Sequence, residues 1–226
     1  MATQNSIDHI SNPLASSAVT VDPGAAGDSY VQFNINTTNK FRIGSDDDAG
    51  DAFKISQGNA LGTNDTFVMT TSGERTMPLQ PAFLALVSTN YTYDVTGDGS
   101  AYVIIFDTER YDQNSDYNNA TGVFTASVDG RYYFNVSMQT RYYTASHTLL
   151  TVYAIATSRT LLLRKFNPGV TKDVDAYIEE SYSFYIDMTA SHTIYIELTV
   201  SNHTKTIALI GYPTILWTTF SGMLVC

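Results

Sequence analysis

The chain of 226 residues contains a single cysteine, Cys226, and that cysteine is its last residue. An internal disulfide framework and a cysteine-based zinc site are therefore excluded, and stability must come from packing, within one chain or between chains. Charge is also scarce, with Asp, Glu, Lys and Arg making up 15 % of the residues. The 12 basic residues are outnumbered by 22 acidic ones, for a net charge of -10. No basic footprint exists to neutralise phosphates, so nucleic acid and anionic membrane surfaces are excluded as partners. No apolar run approaches the ~18 residues a membrane span needs, and membrane insertion is not expected. The opening residues 1–6 lack the basic and apolar regions of a secretory signal. Work outside a cell would require another export route, or this chain to be a piece of a longer one.

Catalytic signatures are missing too. His9, His147, His192 and His203 form no His-x-x-x-His pair, no serine sits in a Gly-x-Ser-x-Gly elbow, and no phosphate loop or dinucleotide fingerprint occurs. Cys226 has no histidine near it in sequence, which suits a packed or exposed thiol better than a nucleophile. Carboxylate pairs such as Glu179 and Glu180 suit acid–base work on a sugar only if the fold sets them across a cleft. The chain is read as a non-enzyme without a cofactor. Asp46, Asp48 and Asp51, around Gly50, are a weak calcium candidate, set against a plain solvated turn that keeps strand edges apart.

What the chain does have is aromatic and β-branched material: 16 Tyr and 11 Phe, with polar volume from Thr, Ser and Asn. That composition favours strands. Residues 1–27 read as a linker or lead-in. Residues 28–80 read as an extended β-rich shaft of short alternating segments, namely Val31-x-Phe33-x-Ile35, Phe41-x-Ile43, Phe53-x-Ile55 and Phe67-x-Met69, separated by turn-formers. A segment of ~50 residues with so few large apolar side chains makes a marginal core. The missing burial can come from identical neighbours meeting on a common axis, or from packing as a small hairpin module on the main domain. Met77-Pro78-Leu79-Gln80-Pro81 marks a boundary. Beyond it, residues 81–226 read as about nine strands in an antiparallel jelly-roll sandwich, and the whole chain as all-β.

Within this C-terminal region the order of motifs resembles the C1q-like head, a jelly roll of the complement and tumour-necrosis-factor superfamily. Pro81-Ala82-Phe83 resembles its first strand, and Ile105-Phe106-Asp107 with Tyr111-Asp112 the paired positions before its central signature. Residues 117–134, from Tyr117 through Thr121-Gly122, Phe124-Thr125 and Gly130-Arg131-Tyr132-Tyr133-Phe134, resemble its most diagnostic stretch. Phe220-Ser221-Gly222-Met223-Leu224 resembles its closing strand. In the signature strand, Tyr132, Phe134, Val136 and Met138 should share one face, with Arg131, Tyr133, Asn135 and Ser137 on the other. The late Gly-Asp turn common in the family is absent, Ala190-Ser191-His192 standing in its place, and there is no collagen stalk. The short N-terminal segments are similar, more loosely, to shafts of bacteriophage tail fibres and microbial surface fibres.

The resemblance implies a homotrimer and a binding role. The chain is expected to be an extracellular fibre tip, on a phage tail or a bacterial surface, that recognises a cell-surface glycan or protein receptor. The alternatives are a structural cap that only registers three chains and a glycan-cleaving tip. Two Tyr-rich loops combine rings that stack on a sugar with groups that bond its hydroxyls. The first, residues 110–119, offers Tyr111, Asp112 and Asn114; the second, residues 141–147, offers Arg141, Tyr142, Tyr143 and His147.

Overall fold

Residues that alternate apolar and polar one by one fall on opposite faces of a strand, and the N-terminal segments 31–35, 41–43 and 53–55 do so. The computed structural model describes Val21, Pro23 and residues 26–171 and 176–226. Most of the lead-in read over residues 1–27 lies outside them. The chain divides into two units, Met1–Pro78 and Leu79–Cys226. In the first, β1 (Ser29–Ile35), β2 (Thr38–Asp46), β3 (Ala52–Gln57), β4 (Asp65–Met69) and β5 (Arg75–Thr76) pair in chain order as an antiparallel meander. Asn36 and Thr37 both take positive φ, 51° and 63°, as a two-residue hairpin turn demands. Register aligns Val31, Ile43, Ile55 and Phe67 in one row across the sheet.

The opposite face of this sheet is polar and covered. Lys54 is buried there, its Nζ 2.8 Å from Asp46 and 3.1 Å from Asp65. Ser56 donates to Asp65, and the loop carrying Gly62 and the buried Leu61 closes over the group, Gly62 N also donating to Asp65. Burial works against the charge on Lys54, but its bonds to Asp46 and Asp65 prevail and raise its pKa above the ordinary lysine value.

The second unit contains β6 (Ala82–Leu86), β7 (Thr92–Thr96), β8 (Ala101–Val103), β9 (Thr108–Gln113), β10 (Tyr117–Asn118), β11 (Val123–Thr125), β12 (Gly130–Arg141), β13 (Leu149–Ala156), β14 (Arg159–Phe166), β15 (Tyr177–Met188), β16 (Thr193–Ser201), β17 (Ile207–Ile210) and β18 (Thr219–Leu224). One sheet runs β10-β11-β16-β13-β14, with β8 beside β16; the other runs β7-β17-β12-β18-β6-β9, with β15 on the far edge of β12. This is the expected all-β jelly-roll sandwich. The signature strand β12 alternates as read, burying Tyr132, Phe134, Val136 and Met138. Four strands were hidden. β7 and β17 are too short to show a period, and residues 110–113 and 117–118, read as a loop, belong to β9 and β10. Glu109, Arg110 and Asp112 of β9 are tolerated because β9 is an edge strand, with β6 as its only ladder partner among the described residues.

Rings from both sheets meet in the core. Phe83 stacks on Tyr117 at 4.8 Å and Phe124 at 5.1 Å, and meets Phe220 edge-on at 5.0 Å. Gly222 is required beside them, since a Cβ there would stand 2.6 Å from the ring of Phe134 and 2.7 Å from that of Phe83. Near the end of β17, His147 is fully buried against Tyr143 and His203. Its Nδ1 accepts from Thr144 N, and its Nε2 donates to Thr204 O. Burial, reinforced by His203, lowers its pKa, against the pull of the Thr204 carbonyl.

Two predictions follow from these buried groups. In the unfolded chain His147 titrates near its ordinary value of 6.5, above its folded pKa. Acid therefore protonates the unfolded state first, so stability present above pH 6.5 is lost as pH falls from there toward the folded pKa. Melting temperature of the second unit should drop between pH 7.5 and pH 5, and His147→Gln should flatten that slope. Lys54→Met strands two carboxylates beside a buried apolar side chain, at a cost of about 3–5 kcal/mol. Hydrogen exchange should then show residues 29–76 losing protection while residues 82–224 keep theirs.

Candidate functional site

β12 ends at Arg141, and the chain then turns sharply: Tyr142 sits in the left-handed region at φ 73°, a strained conformation for a bulky residue. This turn directs the Tyr142 ring outward, where it stacks on Tyr93 at 6.0 Å and lies 6.3 Å from Tyr91. Tyr91 and Tyr93, two residues apart at the start of β7, stack on each other at 5.5 Å. The Arg141 guanidinium lies 4.2 Å from the ring centre of Tyr177 and 5.2 Å from that of Tyr142, and donates to the Tyr91 hydroxyl at 3.2 Å. The Tyr91 and Tyr177 hydroxyls are 3.3 Å apart. These bonds, that to Tyr177 first and that to Arg141 second, hold the Tyr91 phenol below its ordinary pKa.

A shallow cleft continues from this cluster, lined by Tyr91, Tyr177, Gln139, Glu179, Ile210 and Trp217. Gln139 donates to Glu179 across the β12–β15 ladder. Trp217, packed on Tyr212 at 5.3 Å, is exposed together with Ile215 and Leu216 in the loop before β18. The result is a set of exposed ring faces around one cation, one carboxylate and one amide. Flat rings of this kind stack on the apolar face of a pyranose while the polar groups bond its hydroxyls.

The fold separates the two sets of residues singled out in the sequence. Pro81, Gly130 and Leu224 lie at the end of the sandwich where the chain enters, as shown by Leu224 N bonding Pro81 O and Arg131 N bonding Cys226 O. The Arg141 and Tyr142 cluster lies at the far end, beyond Leu86 and Thr219. Tyr111 is exposed, but on β9, opposite Leu84 of β6. Asp112 is spent within its own turn, accepting from the N–H groups of Asp116 and Tyr117. Asn114, at φ 101°, donates to Asp116 and Ser127 in the same knot. Tyr117 is a core residue whose hydroxyl donates to Phe106 O.

Tyr143 and His147 are buried and do not reach the surface. Tyr143 bonds Thr140, and its burial pushes the phenol pKa well up, so both residues brace the loop from beneath. Glu179 and Glu180, being consecutive on β15, point to opposite faces: one meets Gln139, the other lies 3.7 Å from Arg164. They are not a facing acid–base pair. Of the calcium candidates, Asp46 is held by the Lys54 ammonium, while Asp48 and Asp51 stand exposed on the turn that follows β2. Among the described residues no three His, Cys, Asp or Glu side chains are grouped to hold a metal ion. Sequence reading passed over Tyr91, Tyr93, Tyr177 and Trp217. The spacing of Tyr91 and Tyr93, which places both rings on one side of a strand, and a lone tryptophan in a Gly- and Pro-containing turn were the available signals.

A comparison with curated protein sequences found no match. Among solved structures, the globular domain of a zebrafish complement 1qA protein is 19 % identical, with 65 % of this chain and 98 % of that chain covered and a TM-score of 0.44. Murine APRIL at pH 5.0 is 13 % identical, with 65 % and 99 % covered and a TM-score of 0.44. An Eiger TNF from S. frugiperda is 11 % identical, with 65 % and 94 % covered and a TM-score of 0.47. The C1q domain family matches over residues 82–225, from the first strand of the jelly roll, β6, to just past its last, β18. That span is more than half of the chain, and the protein therefore belongs to the C1q domain family.

Proposed function

We propose that this protein is the receptor-binding tip of a homotrimeric extracellular fibre, carried on a phage tail or a bacterial surface, and that it recognises a cell-surface glycan. C1q-like domains are typically trimeric and bind receptors or other ligands. The observation that carries the glycan reading is the Tyr91–Tyr93–Tyr142 stack around Arg141, exposed at Tyr93 and Tyr142, at the end of the sandwich farthest from the entry of the chain. Strain at Tyr142 and a bonded guanidinium are what hold these rings open to solvent instead of letting them fold inward.

Self-assembly has support of its own. The outward face of β15, β12 and β18 carries Tyr133 and Tyr185 with rings 5.1 Å apart, then Asn135, Ser183, Ser137, Ser181, Ser221 and Met223. Tyr185 is 61 % exposed, and the only charged residues toward the entry end of this face are the Arg131–Asp187 pair. A face whose middle is uncharged and whose charges are paired suits contact with identical copies, which would otherwise set like charges opposite one another. Three sites on one trimer then add avidity of ~10² or more on a repetitive surface.

Glycan-array and whole-cell binding test the ligand reading. Each stacked ring contributes about 0.5–1.5 kcal/mol, so Tyr93→Ala or Tyr142→Ala should weaken a single site about two- to tenfold and the trimer by more. Tyr111→Ala, on the edge strand β9 away from β7 and this cluster, should leave binding unchanged. Absence of binding to glycans and cells by the intact trimer would instead mark a structural cap. Tyr185→Glu should loosen the trimer, so that on dilution its light-scattering mass falls toward 24.9 kDa at concentrations where the wild-type chain stays trimeric; a wild-type chain already at that mass sinks the trimer.

A further inference from the structure

The sheet of the first unit has its ion pair inside and its apolar side chains outside. Strand alternation and register put Val31, Phe33, Ile35, Phe41, Ile43, Phe53, Ile55, Phe67 and Met69 on one face, with no acidic residue among them, and Arg75 of β5, opposite Met69, at its border. Phe33 is 54 % exposed, Ile35 61 %, Val31 47 % and Phe41 42 %, and the other five are partly exposed. The opposite face is already satisfied by Lys54, Asp46 and Asp65 under their own loop. A two-sided sheet of this size is marginal with one apolar face in water.

We infer that this apolar face is an interface between copies of this chain, each copy laying β1 to β4 against the same face of its neighbours. Area decides the occupant. Taking ~200 Å² for a Phe side chain, the exposed shares of Phe33 and Phe41 come to about 200 Å². The aliphatic side chains and the partly exposed rows bring the face to on the order of 500 Å² per copy. That is at the upper end of what a monomer leaves uncovered. Two such faces bury on the order of 1,000 Å², the threshold for a specific interface, and three closing on one axis exceed it. The absence of acidic residues is the second argument. A chain of net charge -10 can meet itself only where its acids are absent, and this face is such a place. The inference rests on the trimer proposed above for the number of copies alone.

Cross-linking in the full chain tests it. In a Cys226→Ser background, Ile43→Cys lies at the centre of the apolar face, and Asn59→Cys lies on the loop over the polar face. A short bismaleimide should join Ile43→Cys chains into covalent oligomers at micromolar concentration, and should leave Asn59→Cys chains single. Adding Phe33→Thr and Phe41→Thr, which keep strand propensity while removing the rings, should cut the Ile43→Cys product at least fivefold. Equal products from both cysteines, or none from Ile43→Cys while light scattering still gives a trimer, would overturn this interface and leave the receptor-binding head standing. A chain monomeric in light scattering with no product would overturn both.

Discussion

The head depends on a ring stack that spans its two sheets. Phe83 and Phe220 come from adjacent strands of one sheet, Tyr117 and Phe124 from paired strands of the other, and Phe83 lies 4.8 to 5.1 Å from each of the other three. Aromatic pairs bury much area and prefer definite offsets, so the stack sets both the spacing of the sheets and their lateral position. Glycine at 222 follows from this packing, as does the buried hydroxyl of Tyr117 bonded to Phe106 O. With the sheets held, the ends of β12, β15 and β7 are held too, and it is from these ends that the exposed tyrosines project.

The two units solve opposite problems. The head puts its aromatic residues inside and leaves a face of small polar side chains and tyrosine on β12 and β15. The N-terminal sheet buries Lys54 with two aspartates and turns its Phe and Ile side chains out. A buried ion pair adds little net stability, because desolvating the charges offsets their attraction. Its effect here is orientational: it pins the Gly62 loop to one face and thereby decides which face remains open. Both units thus present largely uncharged surface, and the low charge count of the chain is concentrated into turns, edges and one enclosed triad.

Much of the architecture was legible because strand alternation is local. The faces of β12 follow from Tyr132, Phe134, Val136 and Met138 alone, and the order of the signature residues 117–134 pointed to the jelly roll. The missing Gly-Asp turn before β16 is replaced by Ser191 at φ 71°, a substitution that left the topology intact. Short or charged strands were not legible. β7 and β17 are set by long-range ladder bonds to each other and to β12, and β9 carries charges that an edge strand tolerates.

The sequence by itself determined the strand-rich character, the inward set of the signature strand and the row of N-terminal Phe and Ile residues, since each depends on neighbours within a few positions. Tertiary structure alone decided which tyrosines became a surface. Tyr91, Tyr142 and Tyr177 are far apart in the chain and meet only because the sheet brings the ends of their strands together. Tyr142 and Tyr143 are adjacent and chemically alike, yet one is exposed at positive φ and the other is buried against Thr140. Exposure depends on what the rest of the fold lays over a residue, and that information is not local.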